Sequence, residues 1–225
     1  MQEILDFLSE VRNNNNRTWF QENKTRFEKI KTRFEFLASS ILEKTKVFDD
    51  SVRHLELKDC TYRFYRDTRF SKDKTPYKTH FGIYICPGGK KSWESGYYFH
   101  IEPVWEDGTG GSGVFCGSFM PDKNMLQLIR EDILNDGENY RKVLKKLQDN
   151  NFILDRSNAL KRLPKGFPSS DYDDLIQLKS MCVVKNIDTK YLLDKNLADK
   201  VVKDFQLNYP LVTMLNTAIS YTGNY

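Results

Sequence analysis

Two stretches of the sequence alternate between apolar and polar side chains: HFGIYIC at residues 80–86 and GYYFHIE at residues 96–102. Apolar residues at every second position are typical of a β-strand with one buried face. We therefore expect two strands, His80 to Cys86 and Gly96 to Glu102, whose apolar sides join the hydrophobic core. Their other sides carry two of the three histidines of the chain, tyrosine hydroxyls and a carboxylate.

Further strands are predicted on either side of this pair. Cys60 to Arg66 and Gly113 to Phe119 show a similar alternation, and Met181 to Lys185 is a candidate fifth strand. Glycine and proline residues between these segments mark turns. The connections between the first four candidates are short, which favours antiparallel pairing over parallel crossovers.

Helical periodicity occupies both ends of the chain. Residues 4–11 predict a first helix, and the spacing of Thr18 and Gln21 is that of a capping box, which predicts a second helix from about Trp19 to Lys44. The C-terminal part is predicted to contain a helix from Met125 to Ile133, a continuation from Tyr140 to Leu147, a short helix from Tyr172 to Lys179, and a last helix that begins near Asp194 and is interrupted near Pro210.

The order of helices, strands and helices predicts an α+β fold. We expect an antiparallel sheet of about four to five strands, packed by long N-terminal helices and by C-terminal helices. No repeat or linker divides the chain, so we predict a single domain over residues 1–225. In this division the N-terminal helices occupy residues 1–50, the sheet and a basic motif residues 58–120, and the C-terminal helices residues 121–225.

The composition excludes several classes of protein. Hydrophobic residues make up 39% and charged residues 29% of the chain, which is typical of a soluble globular protein. No apolar run approaches the roughly 18 to 20 residues of a membrane-spanning helix. The first residues, MQEILDFLSEV, are acidic and amphipathic, unlike a signal peptide. We therefore expect a cytoplasmic protein without a membrane partner.

The four cysteines indicate neither a disulfide framework nor a zinc site. Cys60, Cys86, Cys116 and Cys182 lie far apart, without a C-x-x-C pair or a neighbouring pair of histidines. We predict that all four are buried thiols.

Positive charge is concentrated in one segment. The formal net charge is +4, and the 23 residues from Lys58 to His80 contain seven basic residues and three acidic ones. This segment therefore accounts for the whole net charge. An anion-binding site needs such a concentration, although charge clusters also occur on solvated faces.

The same segment carries a long motif, RFYRDTRFSKDKTPYKTH at residues 63–80. It resembles the signature R-x-x-R-D-x-R-F-S-x-D-K-x-P-Y-K-x-H of the domain-of-unknown-function family numbered 2461. Other stretches that resemble the family are Asn13 to Asn15, Arg17 to Phe20, Gly88-Gly89, Gly96 to Pro103, Met120-Pro121, Ile129-Arg130 and Pro164 to Phe167. The resemblance covers nearly the whole chain and implies one domain, but it implies no activity.

The motif has two physical interpretations. Arginine presents a planar fork of donors to phosphate or carboxylate, and lysine adds point charges. In the first interpretation a set of cations binds an anionic group while Asp67 and Asp73 orient them. The candidate anion-binding residues are Arg63, Arg66, Arg69, Lys72, Lys74 and Lys78. In the second, the same charges form an internal network, in which Arg66 and Arg69 pair with Asp67, Asp73 or Glu102.

His80, His100 and Tyr77 are the candidate catalytic residues. Imidazole titrates near neutral pH, and a tyrosine such as Tyr77 or Tyr98 can donate a hydrogen bond to an oxyanion. The polar sheet face has two interpretations. It is the floor of a cleft whose rim is the basic loop, Arg66 to Lys78, or it is the wetter side of an antiparallel sheet, half covered by the C-terminal helices. His80, His100 and Glu102 share that face, but the chain has no H-E-x-x-H motif, and we predict no metal site.

Three functions remain open at this level. The favoured one is a small-molecule enzyme or binding protein that holds an anionic ligand. The second is a nucleic-acid-binding module, because aromatic residues are interleaved with the cations. The third is a non-catalytic interaction protein in which the motif is architectural. The chain lacks a phosphate-binding loop and a dinucleotide-binding fingerprint, so the sequence names no cofactor, and it indicates no oligomeric state.

Overall fold

Five antiparallel strands form the sheet in the computed structural model, which describes residues 1–220. The strands are β1 (Phe81–Ile85), β2 (Gly96–Ile101), β3 (Ser112–Ser118), β4 (Ile153–Leu154) and β5 (Met181–Ile187). They are arranged in the order β1-β2-β3-β5-β4. The predicted antiparallel sheet is confirmed, and β4 is a short edge strand that the sequence analysis missed because two residues show no alternation.

The pairing of β1 with β2 separates the two faces as the alternation predicts. Ile83 pairs with Phe99, and both side chains are buried. Gly82 pairs with His100 on the opposite face, where His100 is only partly buried. One face of the sheet therefore belongs to the core and the other carries the polar residues.

Eight α-helices lie within residues 1–220. They are α1 (Gln2–Asn13), α2 (Arg17–Glu22), α3 (Lys24–Thr45), α4 (Leu57–Cys60), α5 (Lys123–Gln148), α6 (Asp173–Ile176), α7 (Thr189–Leu192) and α8 (Leu197–Ser220). A single turn of 3-10 helix occupies Asp50–Val52. This mixture of helices with one antiparallel sheet confirms the α+β class. The described helices end at Ser220, so residues 221–225 of the predicted C-terminal region lie outside the described residues.

Two long helices cover the apolar face of the sheet. Phe34 of α3 stacks on Phe81 of β1, with ring centroids 4.7 Å apart, and Phe205 of α8 contacts Tyr97 of β2 at 5.2 Å. One of the two interpretations of the polar face covered it with the C-terminal helices. Helix α8 instead packs on the core side, because its buried stripe continues through Leu211 and Leu215.

The predicted strand from Cys60 to Arg66 is wrong. Cys60 ends α4, and the residues after it make only two isolated β-bridges, Thr61 with Ile83 and Tyr65 with Tyr77. The segment folds back on the end of the basic loop, so most of its pairing lies outside the sheet. The segment does alternate, but its apolar side chains pack on the loop and on the aromatic core instead of forming a strand of the sheet.

The second helix differs from the prediction at its start and in its continuity. Asn16, rather than Thr18, is the N-cap of α2, and its side-chain oxygen accepts a hydrogen bond from the Trp19 amide at 3.0 Å. Asn23 then separates α2 from α3, and its side chain donates to the Trp19 carbonyl at 2.9 Å. Asn16 therefore caps the start of α2 through its side chain, as asparagine commonly does, whereas Asn23 makes no side-chain cap bond at the start of α3.

The predicted interruption at Pro210 is also wrong. Helix α8 runs through Pro210, which is exposed on its outer side. Proline removes one backbone hydrogen bond, but burial of the apolar stripe on either side keeps the helix continuous.

All four cysteines are free and buried, as predicted. Among the described helices, none combines the length and the apolar character needed to cross a bilayer.

Candidate functional site

The basic loop, residues 66–78, is a hairpin-like loop whose two ends are joined by backbone hydrogen bonds. The Arg66 amide donates to the Pro76 carbonyl at 2.9 Å, and the Lys78 amide donates to the Phe64 carbonyl at 3.0 Å. At the base of the loop, Tyr77 stacks on Phe20 with a centroid separation of 3.8 Å. The loop is thus anchored by its two ends, while its middle extends into solvent.

Asn15 joins this loop to the connection between α1 and α2. Its side chain donates to the Tyr77 carbonyl at 2.9 Å and accepts from the Tyr77 amide at 3.0 Å. Both backbone groups of one residue are therefore satisfied by one amide side chain. This contact fixes the position from which the chain enters β1.

Two carboxylates organise the arginines of the loop. Asp67 accepts hydrogen bonds from Nε and Nη2 of Arg69 at 3.0 and 2.7 Å, and these bonds lower the pKa of Asp67 to about 2. Asp73 accepts from the Thr75 amide at 2.9 Å and from Nη1 of Arg66. These hydrogen bonds, with that from the Thr75 amide contributing most, lower the pKa of Asp73 to about 2. Both carboxylates are therefore ionised at neutral pH.

A cleft of about 420 Å³, which we call the loop cleft, lies between the end of α1, the basic loop and the start of β1. It is lined by Arg12, Asn15, Arg66, Asp73, Thr75, Tyr77, Lys78, Thr79 and His80. Of the six predicted anion-binding residues, only Arg66 and Lys78 line it. The structure thus brings two of the predicted cations together with the candidate catalytic residues Tyr77 and His80.

The other four predicted cations lie elsewhere on the loop. Arg63 and Arg69 face solvent beside Asp67, at 3.8 and 2.7 Å from its Oδ2. Lys72 is exposed, and Lys74 donates to the Thr68 carbonyl at 2.9 Å. These side chains are arranged around the outside of the loop.

Lys78 differs from the other cations in its surroundings. Its ammonium lies over the Tyr62 ring, 5.1 Å from the centroid, and among the described residues it forms no ion pair with a carboxylate. Burial, assisted by the nearby charge of Arg63, lowers the pKa of Lys78. A half-buried cation without an anionic partner is the most unusual electrostatic feature of the cleft.

The polar face of β1 and β2 carries a connected set of side chains. The Tyr98 hydroxyl lies 2.9 Å from Nδ1 of His100, and Nε2 of His100 lies 3.2 Å from Oε2 of Glu102. The Thr79 hydroxyl donates to Oε1 of Glu102 at 2.6 Å. The His80 ring is adjacent, 4.7 Å from that of His100 between centroids.

Burial sets the charge states of this set. It lowers the pKa of His80 to about 4, and the neighbouring His100 acts in the same direction, so the His80 imidazole is neutral near neutral pH. Burial also opposes ionisation of Glu102, but hydrogen bonds from His100 and Thr79 outweigh it and lower the Glu102 pKa. A neutral imidazole next to an ionised carboxylate offers a lone pair to a hydrogen-bond donor or to a cation.

A second cleft, of about 480 Å³, opens over the polar face and is called the sheet cleft. Aromatic side chains dominate its walls; they are Tyr62, Tyr84, Trp93, Tyr98, Phe115 and Phe119. Lys78 and His80 line both this cleft and the loop cleft. The two cavities therefore meet at these two residues.

Some residues of the site were missed by sequence reasoning. Arg12, Asn15 and Thr79 line the loop cleft, although none was singled out for it. Asn15 lies in the run Asn13 to Asn16, which indicated only a turn, and its partner Tyr77 is 62 positions away. Thr79 directly precedes His80 in the motif, which was the available signal.

Comparisons with known proteins identify the family. No curated protein and no solved structure matches this chain. The model of the family described as "Conserved hypothetical protein (DUF2461)" matches residues 3–214, nearly the whole chain, so this chain belongs to the DUF2461 family.

Proposed function

We propose that this protein binds a small anionic ligand, with a phosphate or carboxylate group, in the loop cleft. The observation that carries the proposal is Lys78, a half-buried ammonium that lines the cleft and has no carboxylate partner among the described residues. Keeping such a charge away from water costs free energy unless an anion compensates it. A bound anion would supply that compensation.

Arg66 supplies a second, directional contact. Its Nη1 is held by Asp73 and by Thr75, which fixes the guanidinium plane. Within residues 1–220 no hydrogen bond involves its Nε or Nη2. A fixed guanidinium with a free edge is suited to two parallel hydrogen bonds with one anionic group.

The remaining charges of the cleft shape what it can accept. Arg12 is paired with Asp107 at 2.5 Å, and Asp73 contributes one negative charge at the rim. The cations therefore exceed the carboxylates by a small margin, which fits a small anion better than a polyanion. Catalytic roles for Tyr77, His80 and His100, which lie in this region, stay predictions.

A nucleic-acid-binding role is the second candidate, and exposed aromatic residues favour it. Phe70 is 95% exposed and Tyr65 is 48% exposed, both on or next to the basic loop. Bases stack on such rings, and phosphates contact neighbouring cations. Pairing of Arg63 and Arg69 with Asp67 reduces the charge available to a nucleic-acid backbone, so we rank this function second.

Thermal unfolding at constant ionic strength tests the proposal. The full chain is heated with phosphate, phosphosugars, nucleotides or dicarboxylates, and the same series is run on Lys78→Met and on Lys72→Met. Methionine keeps most of the aliphatic stem of the lysine and removes the ammonium that lies over Tyr62. Lys72 is an exposed lysine of the same loop and is the matched control.

One ligand class should raise the midpoint of wild type and of Lys72→Met but not of Lys78→Met. A ligand at about 100 times its dissociation constant adds roughly 2.7 kcal/mol, which corresponds to a shift of several degrees. Equal shifts in Lys78→Met and wild type, or no shift with any ligand, would overturn the proposal. Oligonucleotide binding that weakens steeply with salt would favour the second candidate.

A further inference from the structure

The sequence lacks a metal-binding motif and led us to predict no metal site, but from the folded arrangement we propose that His80, His100 and Glu102 bind a divalent transition-metal ion of the class that prefers imidazole ligands, such as Zn²⁺. Each residue offers one ligand atom, and the three atoms lie within 4.8 Å of one another. The ligand atoms differ from the lysine and arginine contacts of the anion proposal, although Lys78 and His80 line the same two clefts.

The strand register is the first argument. His100 and Glu102 are two positions apart, His100 within β2 and Glu102 directly after it, so their side chains emerge on the same face. Phe81 pairs with Ile101, so the register continued by one residue places His80 across from Glu102. Gly82, the partner of His100, has no side chain to separate the two imidazoles. The pairing of β1 with β2 thus brings together three side chains that can bind a metal ion.

Hydrogen bonding around the three residues is the second argument. A metal-binding histidine usually makes a hydrogen bond through its other ring nitrogen, and that bond fixes the ring orientation. Nδ1 of His100 is already paired with the Tyr98 hydroxyl, which leaves Nε2 as the ligand atom. Oε1 of Glu102 is held by Thr79, which leaves Oε2. Nε2 and Oε2 are 3.2 Å apart, a separation that suits two ligands of one ion.

His80 is the third argument. In the described part of the chain, neither ring nitrogen of His80 has a hydrogen-bond partner, although the residue is half-buried. Zinc–nitrogen bonds are about 2.0–2.1 Å long, so ligand atoms around one ion lie within about 4 Å of one another. The separations here extend to at most 4.8 Å, so a small rotation of the His80 side chain completes the site.

The composition of the site selects the class of metal. Two imidazoles and one carboxylate suit Zn²⁺, Co²⁺ or Fe²⁺, whereas Ca²⁺ and Mg²⁺ prefer oxygen ligands. Three protein ligands leave coordination positions for water or for a bound molecule. His80 lines both clefts, so those positions are accessible. Lys78 also lines both clefts, and its charge opposes a cation; the single carboxylate, Glu102, offsets it.

Titration of the chelator-treated full chain with Zn²⁺ or Co²⁺ in chloride buffer tests the proposal. Calorimetry should give one site per chain, and bound Co²⁺ should show the visible absorption of a site with imidazole ligands. The variants are His80→Gln, His100→Gln and Glu102→Gln, and His54→Gln is the matched control. His54 is the third histidine of the chain and is exposed.

We expect His54→Gln to bind like wild type and each of the three site variants to lose the site. His80→Gln removes no hydrogen bond, so it should fold and melt like wild type without metal, which separates metal loss from unfolding. Tyr98→Phe should weaken binding by about tenfold or more, because it removes the partner of His100. Unchanged Zn²⁺ binding by His80→Gln, or no binding by wild type, would overturn the proposal.

The same titration of Lys78→Met separates this inference from the proposed function. Lys78→Met should keep the metal site because it changes no ligand. Loss of metal binding in Lys78→Met together with retention in His80→Gln would contradict the assignment of ligands. The outcome of anion binding does not enter this comparison.

Discussion

Single asparagine side chains connect segments that are distant in the sequence. Asn15 satisfies both backbone groups of Tyr77, and Asn216 does the same for Ser95, with distances of 2.8 to 3.0 Å. The first contact positions the basic loop and the second the start of β2. The sequence showed asparagine as a turn former, but partners 62 and 121 positions away leave no local signal.

Asn15→Ala should destabilise the protein by about 1–3 kcal/mol, because it leaves an amide and a carbonyl of Tyr77 without partners in a partly buried position. Urea unfolding measures the change. Asn13→Ala is the control, because Asn13 is exposed and its side chain makes no hydrogen bond among the described residues. Equal losses in the two variants would contradict the assigned role of Asn15.

At the scale of elements, sequence periodicity predicted secondary structure best where an element buries one face against one neighbour. The faces of β1 and β2 follow from alternation because burial on one side selects the residues. The segment after Cys60 has a similar pattern but packs on the loop and on Phe20, and only the tertiary structure distinguishes these cases. In helix α8 a local signal misled instead: Pro210 predicted an interruption, but burial of the apolar stripe keeps the helix continuous.

Pro210→Ala should stabilise the protein by about 1–3 kcal/mol. The new N–H can donate to the carbonyl of Gln206, and alanine favours the helix interior more than proline does. Pro210 is exposed, so the substitution leaves the packing of the buried stripe unchanged. The free energy of unfolding in urea checks this, and a destabilised variant would mean that α8 depends on the proline.

Arg66→Ala distinguishes a ligand-binding loop from an architectural one. The side chain of Arg66 is 27% exposed and that of its partner Asp73 is 56% exposed, and an ion pair this open to solvent contributes little to stability. We expect the unfolding midpoint to stay within a few degrees of wild type while the stabilisation by the anionic ligand is lost. A variant that unfolds would support the internal network that the sequence also allowed.

At the scale of the whole molecule, the four thiols lie in protected interior positions. Burial is the main reason that the pKa of Cys60 rises to about 11 and the pKa values of Cys86 and Cys182 to about 12. Burial also raises the pKa of Cys116. Thiolate is the reactive form, so the folded protein presents very little of it.

The folded chain should therefore react slowly with a thiol reagent in mildly alkaline buffer, and all four cysteines should react after denaturation. Raised thiol pKa values contribute stability that is fully present below the ordinary pKa and is lost as pH rises towards 11 and 12. The thermal unfolding midpoint should accordingly decrease as the pH is raised through that alkaline range. Rapid modification of the native protein would contradict the buried positions.

The charge distribution was visible in the sequence, but its arrangement was not. The segment from Lys58 to His80 carries the net charge, and the loop cleft lies beside it. Sequence could not separate Arg66 and Lys78 from the other four cations. Which cations line the cleft depends on how the loop folds, for example on which arginine pairs with Asp67 and which with Asp73.

Anomalous diffraction from crystals soaked in selenate, an analogue of sulfate and phosphate, tests most directly whether the loop cleft binds anions. We predict that the strongest selenium peak lies in the loop cleft, in contact with Nζ of Lys78 and with the free edge of Arg66. Selenium peaks confined to the outer cations of the loop or to other surfaces, with none in the loop cleft, would contradict the account.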